Sequence, residues 1–307
     1  MSEPREDGVH TIGRDRVIYA MDRGNAPAIR VQTGDIVLAE CHDCFGGFIQ
    51  TPQDDPEALD HDLLNPATGP IYVDGAEPGD VLAVDLLHIE VGEQGSAPLY
   101  PGEFGFLKDD PIGPFTKIAR VDNGVIVYRD DVRIPVHPML GTLGVAPAGQ
   151  PVSNLYMGDH GANMDHKDVC VGNTVYLPVF VPGALLALGD AHAVIGDGET
   201  AAAGLEVESL VTLRVRVLKG QPLPRPMIES PSEVMTCGWG MTMEEATSCA
   251  MRDMVDFLER KLGMPRAEAY NLAGLVGDAR PGNAVCAPGA MRFSMPKGIF
   301  VNGISIP

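Results

Sequence analysis

From residue 15 to about residue 220 the chain is a succession of short runs in which apolar and polar residues alternate. Each run is cut off by glycine, proline or a pair of turn formers. Alternation with a period of two, with a bias toward Val and Ile, marks strands that bury one face. The pattern is plain in "AIRVQTGDIVLAE" (28–40), in "PIYVDGAEPGDVLAVDLLHIEV" (70–91) around the turn "GAEPGD", and in "GLEVESLVTLRVRVLK" (204–219). In "KIARVDNGVIVYRDDVRIPV" (117–136), Asn123-Gly124 lies between two alternating runs and predicts a hairpin. "NTVYLPVFVPGALLALGD" (173–190) supplies further strands, and its apolar run reads as core rather than subunit interface. The 36 glycines and 26 prolines are spread along the whole chain, which suits many short elements and not a helical bundle.

Helices come late. "TMEEATSCAMRDMVDFLERKLG" opens on Thr242 with Glu245 three residues on, a capping box. Ala246, Ala250, Met254 and Phe257 then recur on one helical face, and Gly263 ends the run. "MPRAEAYNLAGLVGD" starts a second helix near Pro265 that stops at Gly277. The fold class is therefore mainly β, a sandwich- or barrel-like body, with an α+β C-terminal part carrying two helices. Residues 1–220 form the β-rich body and 221–307 the α+β segment packed on it, with proline-rich "GQPLPRPMIESP" (220–231) as the linker or a crossing loop within one continuous domain.

Charge narrows the partners. With 22 Lys and Arg against 42 Asp and Glu, the formal net charge is −20. That argues against nucleic acid and anionic membranes, which bind basic surface. No run approaches the length of a membrane span, and the polar start "MSEPREDGVHTIGRDR" has no apolar signal core, so the expected location is cytoplasmic. The six scattered cysteines then read as free thiols.

Three polar stretches could carry chemistry. In "GDAHAVIGDGE" (189–199), Asp190 and His192 are two apart, which puts them on one side of an extended backbone, and Asp197 and Glu199 repeat the spacing. Imidazole with carboxylate is a common ligand set for zinc, yet the same residue types also make a hairpin loop with Asx-turns. "HGANMDHKD" (160–168) holds His160, Asn163 and Asp165 in a spacing too irregular for one helix face. In "AECHDCFGGF" (39–48), Cys41 and Cys44 lack a second matching pair, so a four-cysteine zinc site is improbable, and Asp43 stands before a flexible turn. Glu206 and Glu208 alternate with Val207 and Ser209, so at least one faces inward or toward a cleft. The serine-nucleophile, phosphate-loop and dinucleotide signatures are missing, which leaves acid–base or metal-assisted hydrolysis.

Taken in order, five segments resemble the acetamidase/formamidase family over roughly residues 15–300. They are "NPATGPIYVDGAEPGDVLAVDL", "PVHPMLGTLGVAP", "HGANMD", "LPVFVPGALLALGDAHAVIGDGE" and "EAYNLAGLVGDARPGNAVCAPGAMRFSMPK". The resemblance implies an amidohydrolase that cleaves short amides to ammonia and a carboxylate, with a divalent metal near its acids and histidines. Carried over, the metal positions are His160, His192, Asp43, Asp165 and Asp190, and the catalytic positions are Glu199, Asp197 and Asn163, with Glu199 as general base. Zinc is the expected ion and calcium the second choice. The expected substrate is a small amide and the expected assembly a homo-oligomer, with a dimer favoured. Three departures stand out: Ala162 replaces a glycine, Ile195 replaces a glutamine, and the stretch at 278–283 reads "DARPGN". They open two alternatives, a larger or cyclic amide as substrate, or a non-catalytic metal- or ligand-binding homologue.

Overall fold

The computed structural model describes residues 8–306; the first seven residues of the polar N-terminal stretch lie outside the described residues. Strand dominates, with two α-helices late in the chain, as the alternation and the capping box predict. The largest sheet has nine strands in the order Val9–Ile12, Ile36–Cys41, Ser209–Leu218, Val81–Val91, Thr174–Pro178, Met227–Glu229, Glu233–Gly240, Gly289–Pro296 and Asp278–Pro281. The first pair is parallel and the rest antiparallel. This sheet takes strands from both sides of residue 220, and the proline-rich stretch at 220–231 itself contributes the strand Met227–Glu229. A second, seven-stranded sheet is centred on Met139–Gly144, Leu186–His192 and Ala67–Val73.

The two faces of the nine-stranded sheet explain why some strands read as continuous apolar runs. Along Val81–Val91, Leu82, Val84 and Leu86 point into the core shared with the seven-stranded sheet, beside Ile71, Leu186 and Leu188. Val81 and Ala83 point the other way, into a second core with the helices. A strand covered on both faces loses its polar alternation. The apolar run at 178–188 is core as well, with Val179, Ala184, Leu186 and Leu188 buried.

The long helix, α1 (Met243–Leu262), closes that second core. Thr242 caps it by accepting from the Glu245 N–H, the Glu245 side chain accepts from the Thr242 N–H, and Gly263 ends it in the left-handed region. Its buried stripe of Ala246, Ala250, Met254 and Phe257 packs against Val234, Phe293 and Met295. Close approach is secured by Gly238, where a Cβ would strike the α1 backbone at Ala246 and Ala250. The shorter α2 (Arg266–Val276) adds Ala269 and Ala273 to the same core. The predicted hairpin is present between Thr116–Asp122 and Val125–Arg129, with both turn residues, Asn123 and Gly124, at positive φ. Among the described residues, no helix is long and apolar enough to cross a membrane.

Candidate active site

The seven-stranded sheet brings the polar stretches together. Met139–Gly144 pairs with Leu186–His192 on one side, setting Met139 opposite His192 and Thr142 opposite Gly189, and with Gly161–Asn163 on the other, setting Thr142 opposite Asn163. His192 also bridges to Glu206. The result is a cavity of about 120 Å³ whose floor carries Asn163, Asp165, Asp190, Glu199, Glu206 and Asn283. Its walls include Phe45, Leu64, Tyr100, Phe104, Leu155 and Tyr156. For scale, a dry cavity of about 150 Å³ holds benzene, so this one suits a small molecule.

Backbone geometry at the floor is unusual. Asp165, Asp190 and Glu199 all sit at positive φ (47°, 56° and 45°), a region that costs a side-chain-bearing residue about 1–2 kcal/mol. Such strain persists where the surroundings over-determine it, and functional sites are where it gathers. Asp190 therefore breaks the extended alternation that its spacing to His192 predicts, yet its Oδ1 still lies 3.4 Å from His192 Nε2. Ala162, where the family pattern has glycine, is also left-handed at φ 71°, which is the conformation that glycine favours.

Hydrogen bonds hold one side of Asn163, Asp165, Asp190, Glu206 and Asn283. Asn65 Nδ2 donates to Asn163 Oδ1 and to Asp190 Oδ2, both at 3.1 Å, and Thr142 Oγ1 donates to the same Asn163 oxygen at 3.1 Å. Asn163 Nδ2 donates to the Leu155 carbonyl at 3.2 Å. Asn283 Nδ2 donates to Asp165 Oδ2 at 2.9 Å, and the Gly204 N–H donates to Glu206 Oε1 at 3.1 Å. The other side is left bare: Asp165 Oδ1, Glu206 Oε2 and both nitrogens of His192 are buried without a hydrogen-bond partner. His192 Nε2 stands 3.0 Å from Glu206 Oε1 but is not aligned to donate to it.

Four buried carboxylates thus face one imidazole, and among the described residues no lysine or arginine lines the cavity. Burial, reinforced by neighbouring acids, pushes the Asp165 carboxyl up to about 6 and Glu206 up to about 7, and holds Glu199 well above the usual carboxylate range. Burial alone would depress His192, but the charges of Glu206 and Asp190 outweigh it and raise the imidazole well above its ordinary value. A buried charge without a partner neutralises or finds a cation. Two sets of donor atoms lie close enough to share an ion, Asp165 with His192 and Glu199, and Cys44 with Asp190 and Glu206. These buried groups could hold a metal ion.

The remaining sequence-predicted positions lie outside the cavity floor. Asp43 caps the turn that follows it, accepting from the N–H groups of Phe45 (3.0 Å) and Gly47 (2.8 Å), and so presents Phe45 to the cavity wall. His160 is buried beside Gly158, and desolvation drops it to about 4. Asp197 is bound to Lys167 (2.8 Å) and Arg292 (2.7 Å). Ile195 is buried and not among the cavity walls, whereas the departing stretch at 278–283 delivers Asn283 to the floor. Sequence reasoning did not assign Asn65, Thr142, Glu206 or Asn283. Signals existed for two of them: Asn65 opens the "NPATGP" segment, and Glu206 lies in an alternating run.

Fold and floor together define a class: a mainly β protein built on two large sheets, with a buried, polyacidic cavity whose groups could hold a cation beside a small ligand. The model of the acetamidase/formamidase family matches residues 24–157 and 155–302, and the chain belongs to that family. It is 38% identical to an acetamidase of Bacillus halodurans of known structure, covering 96% of this chain and 100% of that one with a TM-score of 0.93. A predicted acetamidase/formamidase from Thermoanaerobacter tengcongensis is 36% identical, with 96% and 98% coverage and a TM-score of 0.92. A formamidase of Methylophilus methylotrophus is 27% identical over 247 residues, 62% of this chain and 61% of that protein. The chain thus spans about three fifths of the length of the curated relatives it matches.

Proposed function

We propose that the protein hydrolyses a short-chain linear amide, of the formamide and acetamide kind, to ammonia and a carboxylate with the help of a divalent ion. The observation that carries this reading is the floor itself: four buried carboxylates facing one buried histidine, several of their atoms unpartnered, with no lysine or arginine among the described residues that line the cavity. The names of the relatives support the amide as substrate. Asp165 and His192, whose donor atoms lie close enough to share an ion with Glu199 beside them, would hold it; the imidazole nitrogen among carboxylate oxygens suits zinc first, and the carboxylate oxygens alone would suit calcium second. Such an ion supplies a Lewis acid that polarises the amide carbonyl and acidifies water.

The chain's own residues do the rest. Asn65 and Thr142 fix Asn163 and Asp190, and Asn283 fixes Asp165, so the floor is preorganised before a substrate enters. Glu199 accepts the proton from the attacking water as the new C–O bond forms, then passes it to the departing nitrogen. The C–N bond breaks, and ammonia and the acid leave.

The aromatic and aliphatic walls favour a second reading, a larger or cyclic amide as substrate. Elemental analysis of the purified protein, paired with ammonia release from an amide panel with and without chelator, tests both. Stoichiometric metal and chelator-sensitive ammonia release are expected. Activity without metal would overturn the metal role, and no ammonia from any amide would overturn hydrolysis.

A further inference from the structure

Beside the floor lies a second group of charges. Arg292, on the strand Gly289–Pro296, is fully buried at 0% exposure. Its guanidinium uses three sides. Nη2 donates to Asp197 Oδ1 at 2.7 Å and Nη1 to the Pro281 carbonyl at 3.1 Å, while Nε forms an ion pair with Asp168 Oδ2 that is not aligned as a hydrogen bond. Lys167 reaches Asp197 Oδ2 at 2.8 Å and completes a set of two cations and two anions.

The three Arg292 contacts reach three different segments, each of which runs on to one floor residue. Asp168 lies three residues after Asp165, Asp197 two before Glu199, and Pro281 two before Asn283. The same segments are stitched by backbone bonds from the Asn283 N–H to the Met164 carbonyl (3.1 Å) and from the Ala284 N–H to the Gly198 carbonyl (3.3 Å). We propose that Arg292 is a positioning residue that registers the three segments bearing Asp165, Glu199 and Asn283, with Asp168 and Asp197 as its anchors. The site role rests on the metal-assisted reading above. A lysine cannot replace it: one ammonium is a point charge, whereas the fork-shaped guanidinium donates to two acceptors while pairing with a third anion. Partners of this outer kind are worth about 10- to 100-fold in metal affinity or activity.

The test compares Arg292→Lys and Asp197→Asn with Arg216→Lys. Arg216 makes a bidentate pair with Asp85 and takes no part in the cavity. Three quantities are read on the full chain: Co²⁺ affinity by visible absorption, kcat and KM for ammonia release, and hydrogen exchange of residues 196–203. The first two variants should bind Co²⁺ about 10- to 100-fold more weakly and lose kcat to a similar degree with KM nearly unchanged. Exchange at 196–203 should quicken in both, while Arg216→Lys alters only thermal stability. Wild-type affinity, turnover and exchange in Asp197→Asn would overturn the proposal, as would losses that merely track Tm as in Arg216→Lys. Hydrogen exchange needs neither metal nor substrate. A wild-type protein that binds no Co²⁺ therefore sinks the metal reading alone, and the exchange result still decides whether Arg292 holds the segments.

Discussion

Two groups of acids lie side by side, one half-buried and one fully buried, and are built on opposite principles. In the knot around Arg292, Asp168 and Asp197 are matched by Arg292 and Lys167, and Asp197 titrates below the usual carboxylate range, because its bonds to Lys167 and Arg292 outweigh partial burial. On the cavity floor, Asp165, Asp190, Glu199 and Glu206 share one histidine, and burial raises Asp165, Glu199 and Glu206. The knot is electrostatically finished by the chain alone. The floor is finished only by protons or by a cation from outside. That difference separates charge used for structure from charge kept for chemistry.

The largest expected break comes at Glu199. Glu199→Gln removes the proton carrier while keeping its size, and kcat for ammonia release should fall about 10²- to 10⁴-fold. Undiminished turnover in that variant would show that the proton travels elsewhere. Gly141→Ala comes next. A Cβ there would strike the carboxylate oxygens of both Asp165 and Asp190. Displacing the floor by about 1 Å should cost on the order of 10²-fold in kcat/KM, with helical and strand content by circular dichroism unchanged.

A smaller effect sharpens the contrast through pH. Asp165 holds its proton up to about 6 in the folded chain against an ordinary 3.8, so its contribution to stability is complete below about pH 4 and is lost as pH rises past 6. In chelator, Asp165→Asn should therefore melt several degrees above the wild type at pH 8 and level with it at pH 4, as scanning calorimetry would read. Equal melting at both values would mean that the floor acid is not frustrated. The smallest effect belongs to Ile195. Because it is buried away from the cavity walls, Ile195→Gln should leave the ratio of kcat/KM for acetamide and a longer amide unchanged. A changed ratio would place residue 195 in the specificity of the site after all.

What could be read from the residues was whatever depends on near neighbours in the chain. Period-two alternation marked the strands, Asn123-Gly124 marked the hairpin, and Thr242 with Glu245 marked the start of α1, because each is decided within a few residues. Asp165, Asp190, His192 and Glu199 were legible because they fall in two short polar motifs. Tertiary structure alone decided which groups meet them. Asn65 reaches Asp190 across 125 residues, Asn283 reaches Asp165 across 118, and Arg292 reaches Asp197 across 95. Tertiary structure also parted Asp43, His160 and Asp197 from the floor, since a motif fixes the types of its residues but not the direction of each side chain. Strand pairing and register set those directions, and they are settled by packing two faces of a sheet at once, a condition that no local run of sequence contains.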